Sequence, residues 1–97
     1  MRVRYTPRAL SDLDAIFFYL DQRAPSATRA VKSTIARSVA RLGNFPSIGH
    51  RTDDPGVFEL TVVRYPYKVY YAAESDGVWI VHIRDARRKP WAGEGET

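Results

Sequence analysis

Apolar residues along this chain recur at helical spacing in its first half and alternate, strand-like, in its second. Residues 2–5, Arg-Val-Arg-Tyr, alternate polar and apolar and predict a short strand. Thr6-Pro7 follows as a cap residue with proline at the first helical position, where the missing N–H is no loss. From there Ala9, Leu10, Leu13, Ile16, Phe17 and Leu20 form one stripe, with Asp12, Asp14 and Asp21 away from its centre and Phe18 on the far side. Ala24-Pro25-Ser26 breaks the pattern, because a residue before proline resists the helical region and Ser26 is placed to cap a second helix. That helix runs to about Leu42. Val31, Ile35, Val39 and Leu42 make its apolar stripe, Arg29, Arg37 and Arg41 lie off it, and Gly43 predicts a left-handed stop. So short a link makes the two helices a hairpin.

After a loop in which Phe45 and Ile48 are expected to plug the end of the core, Asp53-Asp54-Pro55-Gly56 has turn chemistry. Residues 57–64, 67–73 and 78–84 are rich in Val, Ile, Tyr, Phe and Trp. They are separated by Tyr65-Pro66 and by a Ser75-Asp76-Gly77 hairpin signal, so an antiparallel meander is expected. The order β-α-α-β-β-β implies an α+β fold, a helical hairpin packed on one face of a small antiparallel sheet with the other face partly open. Strand alternation places Tyr70 opposite Tyr67 and Tyr71. An aromatic and cationic open face suits nucleic acid or a peptide. Residues 1–91 are read as one domain and 92–97 as a flexible tail.

Composition narrows the classes. The 97 residues include twelve arginines and three lysines against 11 acids, for a net charge of +4, and no cysteine. A disulfide framework, a thiolate metal site and a thiol nucleophile are thereby excluded. His50 and His82 are too far apart in sequence to suggest a metal pair, and neither metal nor cofactor is expected. No run approaches the roughly 18 apolar residues of a membrane span, so no membrane partner and a cytoplasmic location are expected. The charge is uneven. Residues 26–51 hold Arg29, Lys32, Arg37, Arg41 and Arg51 with no acid, and Arg84, Arg87, Arg88 and Lys89 cluster ahead of Trp91. Such patches favour polyanions or an acidic partner, or are simply solvated faces.

Several pieces in order resemble one family: Tyr5, Asp12-Leu13, Ile16 and Tyr19; Leu42, Phe45-Pro46 and Gly49; Tyr65-Pro66-Tyr67, Val69 and Tyr70-Tyr71; and Arg87-Arg88-Lys89-Pro90-Trp91. Together they are similar to the RelE/ParE superfamily of type II toxin–antitoxin toxins over nearly the whole length. The resemblance implies a growth-inhibiting toxin neutralised by a cognate antitoxin in a hetero-oligomeric complex. It also implies one of two activities. RelE-like members cut messenger RNA on the ribosome, whereas ParE-like members act on DNA gyrase.

Cleavage through a 2′-hydroxyl needs a base, an acid and cations around phosphorus. The residues that would serve are Glu59 as base and Arg64, Arg84, Arg87 and Arg88 as clamps. The acid is missing: Asp85 stands where many relatives carry histidine, and Phe58 where they carry arginine. His82 is either a substitute acid or a packed structural side chain. These departures and the long helical hairpin resemble the ParE branch, so gyrase inhibition without chemistry by the toxin is expected. A ribosome-dependent nuclease, or a non-toxic remnant that still binds antitoxin, is the alternative. By the same resemblance Arg84, Arg87, Arg88, Lys89 and Trp91 would contact the target. The antitoxin would present an acidic, amphipathic folding segment to Phe18, Tyr19 and Phe58, each of which could instead be internal.

Overall fold

The computed structural model describes residues 1–87; Arg88, Lys89, Trp91 and residues 92–97 lie outside them. The chain runs β1 (Val3–Tyr5), α1 (Pro7–Arg23), α2 (Pro25–Asn44), β2 (His50–Arg51), β3 (Phe58–Thr61), β4 (Tyr67–Glu74) and β5 (Gly77–Asp85). The α+β order expected from the sequence is present, with β2 added. Both β2 residues are exposed and polar, so no alternation marks them.

Helix α1 starts where its chemistry directs: the Thr6 hydroxyl accepts the Ala9 N–H at 3.1 Å, and Pro7 occupies the first turn. The expected cap at Ser26 is not made. Ala24 is the N-cap of α2, with no side-chain bond, and Pro25 opens the helix, so Ser26 already lies in the first turn. Thr28 instead ties the helices together, donating to Asp21 at 2.7 Å. Gly43 is not a left-handed stop either, since α2 continues through it to Asn44. Its role is close approach: a Cβ there would stand 2.8 Å from the Met1 carbonyl oxygen, and the N-terminal ammonium donates to the Gly43 carbonyl at 2.6 Å.

The sheet has five strands in the order β1-β5-β4-β3-β2. Strands β3, β4 and β5 form the expected antiparallel meander, whereas β1 joins β5 in parallel, Val3 opposite Val78, which makes the sheet mixed. The helical hairpin covers one face. Ala9, Val31, Ile35, Val39 and Leu42 meet Val62, Val69, Tyr71, Val78, Ile80 and Ile83, all buried. Each fully buried aliphatic side chain contributes about 1.5–3 kcal/mol relative to exposure. Two expected core residues are outside it: Leu10 is 51% exposed and Phe45 58% exposed, while Ile48 does pack against the core.

One irregularity positions the site. Tyr70 pairs with His82 but Tyr71 pairs with Ile80, so β5 carries one extra residue, Val81, at a bulge. Ile80 and Ile83 thereby both reach the helix-covered face, and His82 stays outside that core beside Tyr70.

Candidate functional site

Strand register places Glu59, Tyr70 and His82 in one row across β3, β4 and β5, and Thr61, Lys68 and Arg84 in the next. Both rows belong to the face away from the core. Lys68 Nζ donates to Glu59 Oε1 at 3.3 Å, and the Tyr70 hydroxyl donates to Glu59 Oε2 at 3.1 Å. The same hydroxyl accepts from Arg84 Nε at 2.9 Å. Burial pushes the Tyr70 phenol above its ordinary pKa, although Arg84 pulls the other way, so it remains a neutral donor. The His82 ring stacks on Tyr70 at 5.5 Å.

His82 is turned toward α1. Its Nδ1 lies 2.7 Å from Asp12 Oδ2, and that oxygen also accepts the Ile83 N–H at 3.0 Å. An ionised carboxylate only accepts, so Nδ1 carries the proton. Burial holds the imidazole below its usual pKa; Asp12 raises it, while Arg8 and Arg84 add to the lowering. The short pairing distance suggests a charged pair, yet burial leaves only 5% of His82 exposed and favours the neutral ring. His82 is thus packed and hydrogen-bonded, and it is almost fully buried. Sequence reasoning missed Asp12, which occupies the turn between Ala9 and Ile16 and faces the edge of β5 beyond the end of β1. An acid within one turn of both residues of a buried stripe was the available signal.

Asp12 and His82 themselves line a groove of about 660 Å³ between α1 and the end of β5. Phe18, Tyr19 and Arg23 line it from α1, and Tyr67, Ile83 and Arg84 from the sheet. Phe18 is 67% exposed, and the Arg23 guanidinium sits 4.1 Å over the Tyr19 ring. Asp85, also at the groove, grips Arg87 through both oxygens at 3.2 and 3.0 Å.

The residues expected to act are thus partly gathered. Glu59 and Arg84 are joined through Tyr70. Phe18, Tyr19 and Arg84 share the groove. Phe58 is elsewhere, half-buried on β3 with its ring stacked on Tyr71 at 5.7 Å, which makes it part of the core's edge. Arg64 is exposed on the β3–β4 loop at φ 77°, and among the described residues no hydrogen bond or ion pair joins it to Glu59 or Arg84. Arg87 is exposed at the end of the described chain, and Arg88, Lys89 and Trp91 lie beyond it. Among the described residues no cluster of three His, Asp or Glu side chains is placed to hold a metal, and no helix is long and apolar enough to cross a membrane.

Residues 3–90 match the family model of the ParE toxin of the type II toxin–antitoxin system parDE. The toxin RelE2 of Caulobacter vibrioides is 36% identical over 87 residues, 90% of this chain and 97% of that protein. Y4kP of Sinorhizobium fredii is 32% identical over 75 residues, covering 77% and 78%. Among solved structures, the chromosomal ParDE system of P. aeruginosa superposes with a TM-score of 0.78 at 25% identity, over 88% of this chain and 95% of that one. The isolated E. coli RelE toxin shares the fold, at a TM-score of 0.58 and 13% identity, over 91% and 86%.

Proposed function

The chain belongs to the ParE toxin family of type II toxin–antitoxin systems, and on that premise we propose that it arrests bacterial growth by inhibiting DNA gyrase, with no chemistry of its own. One observation carries this reading: the groups a nuclease would need are already committed. Both Glu59 oxygens are taken, by Lys68 and Tyr70, and His82 is buried against Asp12. A general base and acid must reach the protons they move; Glu59 is hydrogen-bonded through both oxygens, and His82, although it lines the groove with Asp12, is itself almost fully buried. Arg84 is left as a cation that binds without catalysing. The nuclease alternative keeps one point in its favour, the joining of Glu59, Lys68 and Arg84 on one sheet face.

Inducing the toxin alone in a bacterial host tests the choice. DNA-damage signalling and altered supercoiling should rise while pulse-labelled translation continues. Collapse of translation first, with cut messages, would establish the nuclease; normal growth would leave only antitoxin binding.

The groove is where the cognate antitoxin is placed in this reading. An amphipathic helix laid there would bury Phe18 and Tyr19, and acidic side chains on it would meet Arg23 and Arg84. Because Arg84 lines the same groove, the antitoxin would cover a target contact as it binds. Phe18→Ser should change folding stability by less than about 0.5 kcal/mol, since the side chain is already exposed. Antitoxin binding should weaken by about 2 kcal/mol, roughly 30-fold, by calorimetry. Undiminished affinity in the Ser variant would move the antitoxin off this groove.

A further inference from the structure

We propose that the outward face of α2 is a docking surface for the phosphate backbone of duplex DNA. At 100° per residue Arg29, Arg37 and Arg41 fall within an arc of about 120°, opposite Val31, Ile35 and Leu42, and spread over about 18 Å of helix. All three are exposed. Among the described residues none pairs with a carboxylate, and residues 26–51 contain no acid that could. The charge is also held in place. The Arg37 guanidinium is oriented by the hydroxyls of Ser33 at 2.8 Å and Thr34 at 3.2 Å, which fix its direction without neutralising it. Lys32 is not part of the surface, because its ammonium lies 5.0 Å over the Phe17 ring on the α1 side.

What lies between the arginines selects the partner. Ala30, Ser33 and Ala40 fall between the arginines on the exposed face. A protein interface is anchored by buried aromatic or large apolar side chains, and this face offers none, in contrast to the groove with Phe18 and Tyr19. Separated cations on a face of small side chains suit a polyanion approached closely along its length. The major groove of B-form DNA, about 12 Å wide, admits a helix of this kind, whereas the deep, narrow major groove of A-form RNA does not. The surface is on a different helix from the groove, so it stands whether or not gyrase is the target.

The test is fluorescence anisotropy of the full-length toxin with a labelled random-sequence DNA duplex of about 20 base pairs, between about 50 and about 200 mM salt. Affinity should fall steeply with salt. The Arg29→Gln/Arg37→Gln/Arg41→Gln variant should flatten the log–log slope by about 2.7, and Arg29→Gln/Arg41→Gln by about 1.8, at about 0.9 per phosphate contact. Thermal melts should be unchanged, and the double variant leaves the Arg37 hydroxyl contacts intact. Equal slopes for wild type and variants would overturn the proposal. So would an RNA duplex that competes as well as DNA, or an antitoxin that loses as much affinity as DNA does. Failure of the induction experiment to show DNA damage, with the slope change intact, would remove the gyrase reading and leave this surface standing.

Discussion

Truncating Tyr71 to alanine is expected to lower the unfolding free energy by about 3–5 kcal/mol, read from urea midpoints. The side chain is fully buried, and its loss would open the core between the sheet and the loop after α2. Its hydroxyl donates to the Pro46 carbonyl at 2.8 Å and accepts the Gly49 N–H at 2.9 Å, so one phenol fastens that loop at two points. The fit leaves no slack: a Cβ at Gly49 would stand 2.5 Å from the Tyr71 oxygen and 2.9 Å from the Glu59 carbonyl oxygen. Tyr71→Phe separates the ring from the hydroxyl. It should cost about 1–3 kcal/mol, the range for a buried backbone N–H left without its acceptor. A Phe variant as stable as wild type would mean that the loop is held by packing alone.

The second large effect is at Asp12. Its carboxylate serves two donors from β5, the His82 ring and the Ile83 N–H. Asp12→Ala abandons both and should destabilise the protein by about 2–3 kcal/mol near neutral pH. Acid adds a second signature. His82 is held below its usual pKa chiefly by burial, with Arg8 and Arg84 acting in the same direction and Asp12 against them. On unfolding the ring returns to its ordinary value near ~6.5. Between that value and the lower folded one, the unfolded chain binds the additional proton. The stability is thus fully present above the ordinary value and is lost as pH falls through this interval. Asp12→Asn keeps an acceptor for the Ile83 N–H but removes the charge that raises the imidazole. Its acid loss should extend to lower pH than that of wild type. Parallel stability profiles for the two proteins from about pH 7 down through the full acid loss of wild type would place the titration on some other group.

Element order was legible because its causes are local. Thr6-Pro7 starts a helix in any context, Ala24-Pro25 breaks one, and Asp76-Gly77 turns a hairpin. Pairings between distant parts of the chain left little trace. Nothing in Arg2-Val3-Arg4-Tyr5 says that it will lie parallel to a strand more than 70 residues away. Strict alternation in Ile80-Val81-His82-Ile83 puts His82 on the face of Ile80, and the bulge reverses that by sending both isoleucines inward. Gly43 looks like a helix stop because glycine so often is one, yet here a chain terminus lies against it. The candidate site divides in the same way. Periodicity alone marked Phe18 as outward, but only the packing of α1 along the β5 edge brings it into one groove with Arg84.

The parallel pairing of β1 with β5 also sets the order in which this protein can be made. Strand β1 is made well before its partner, residues 77–85, with the other elements between them. Until then β1 has no ladder to join, Asp12 has no His82 or Ile83 to hold, and the groove lacks its sheet wall. Pairing across so long a separation is slow, since the intervening loop must close first. A nascent or truncated chain lacking β5 is consequently without the strand that carries Arg84, so the groove takes shape only after β5 has been made.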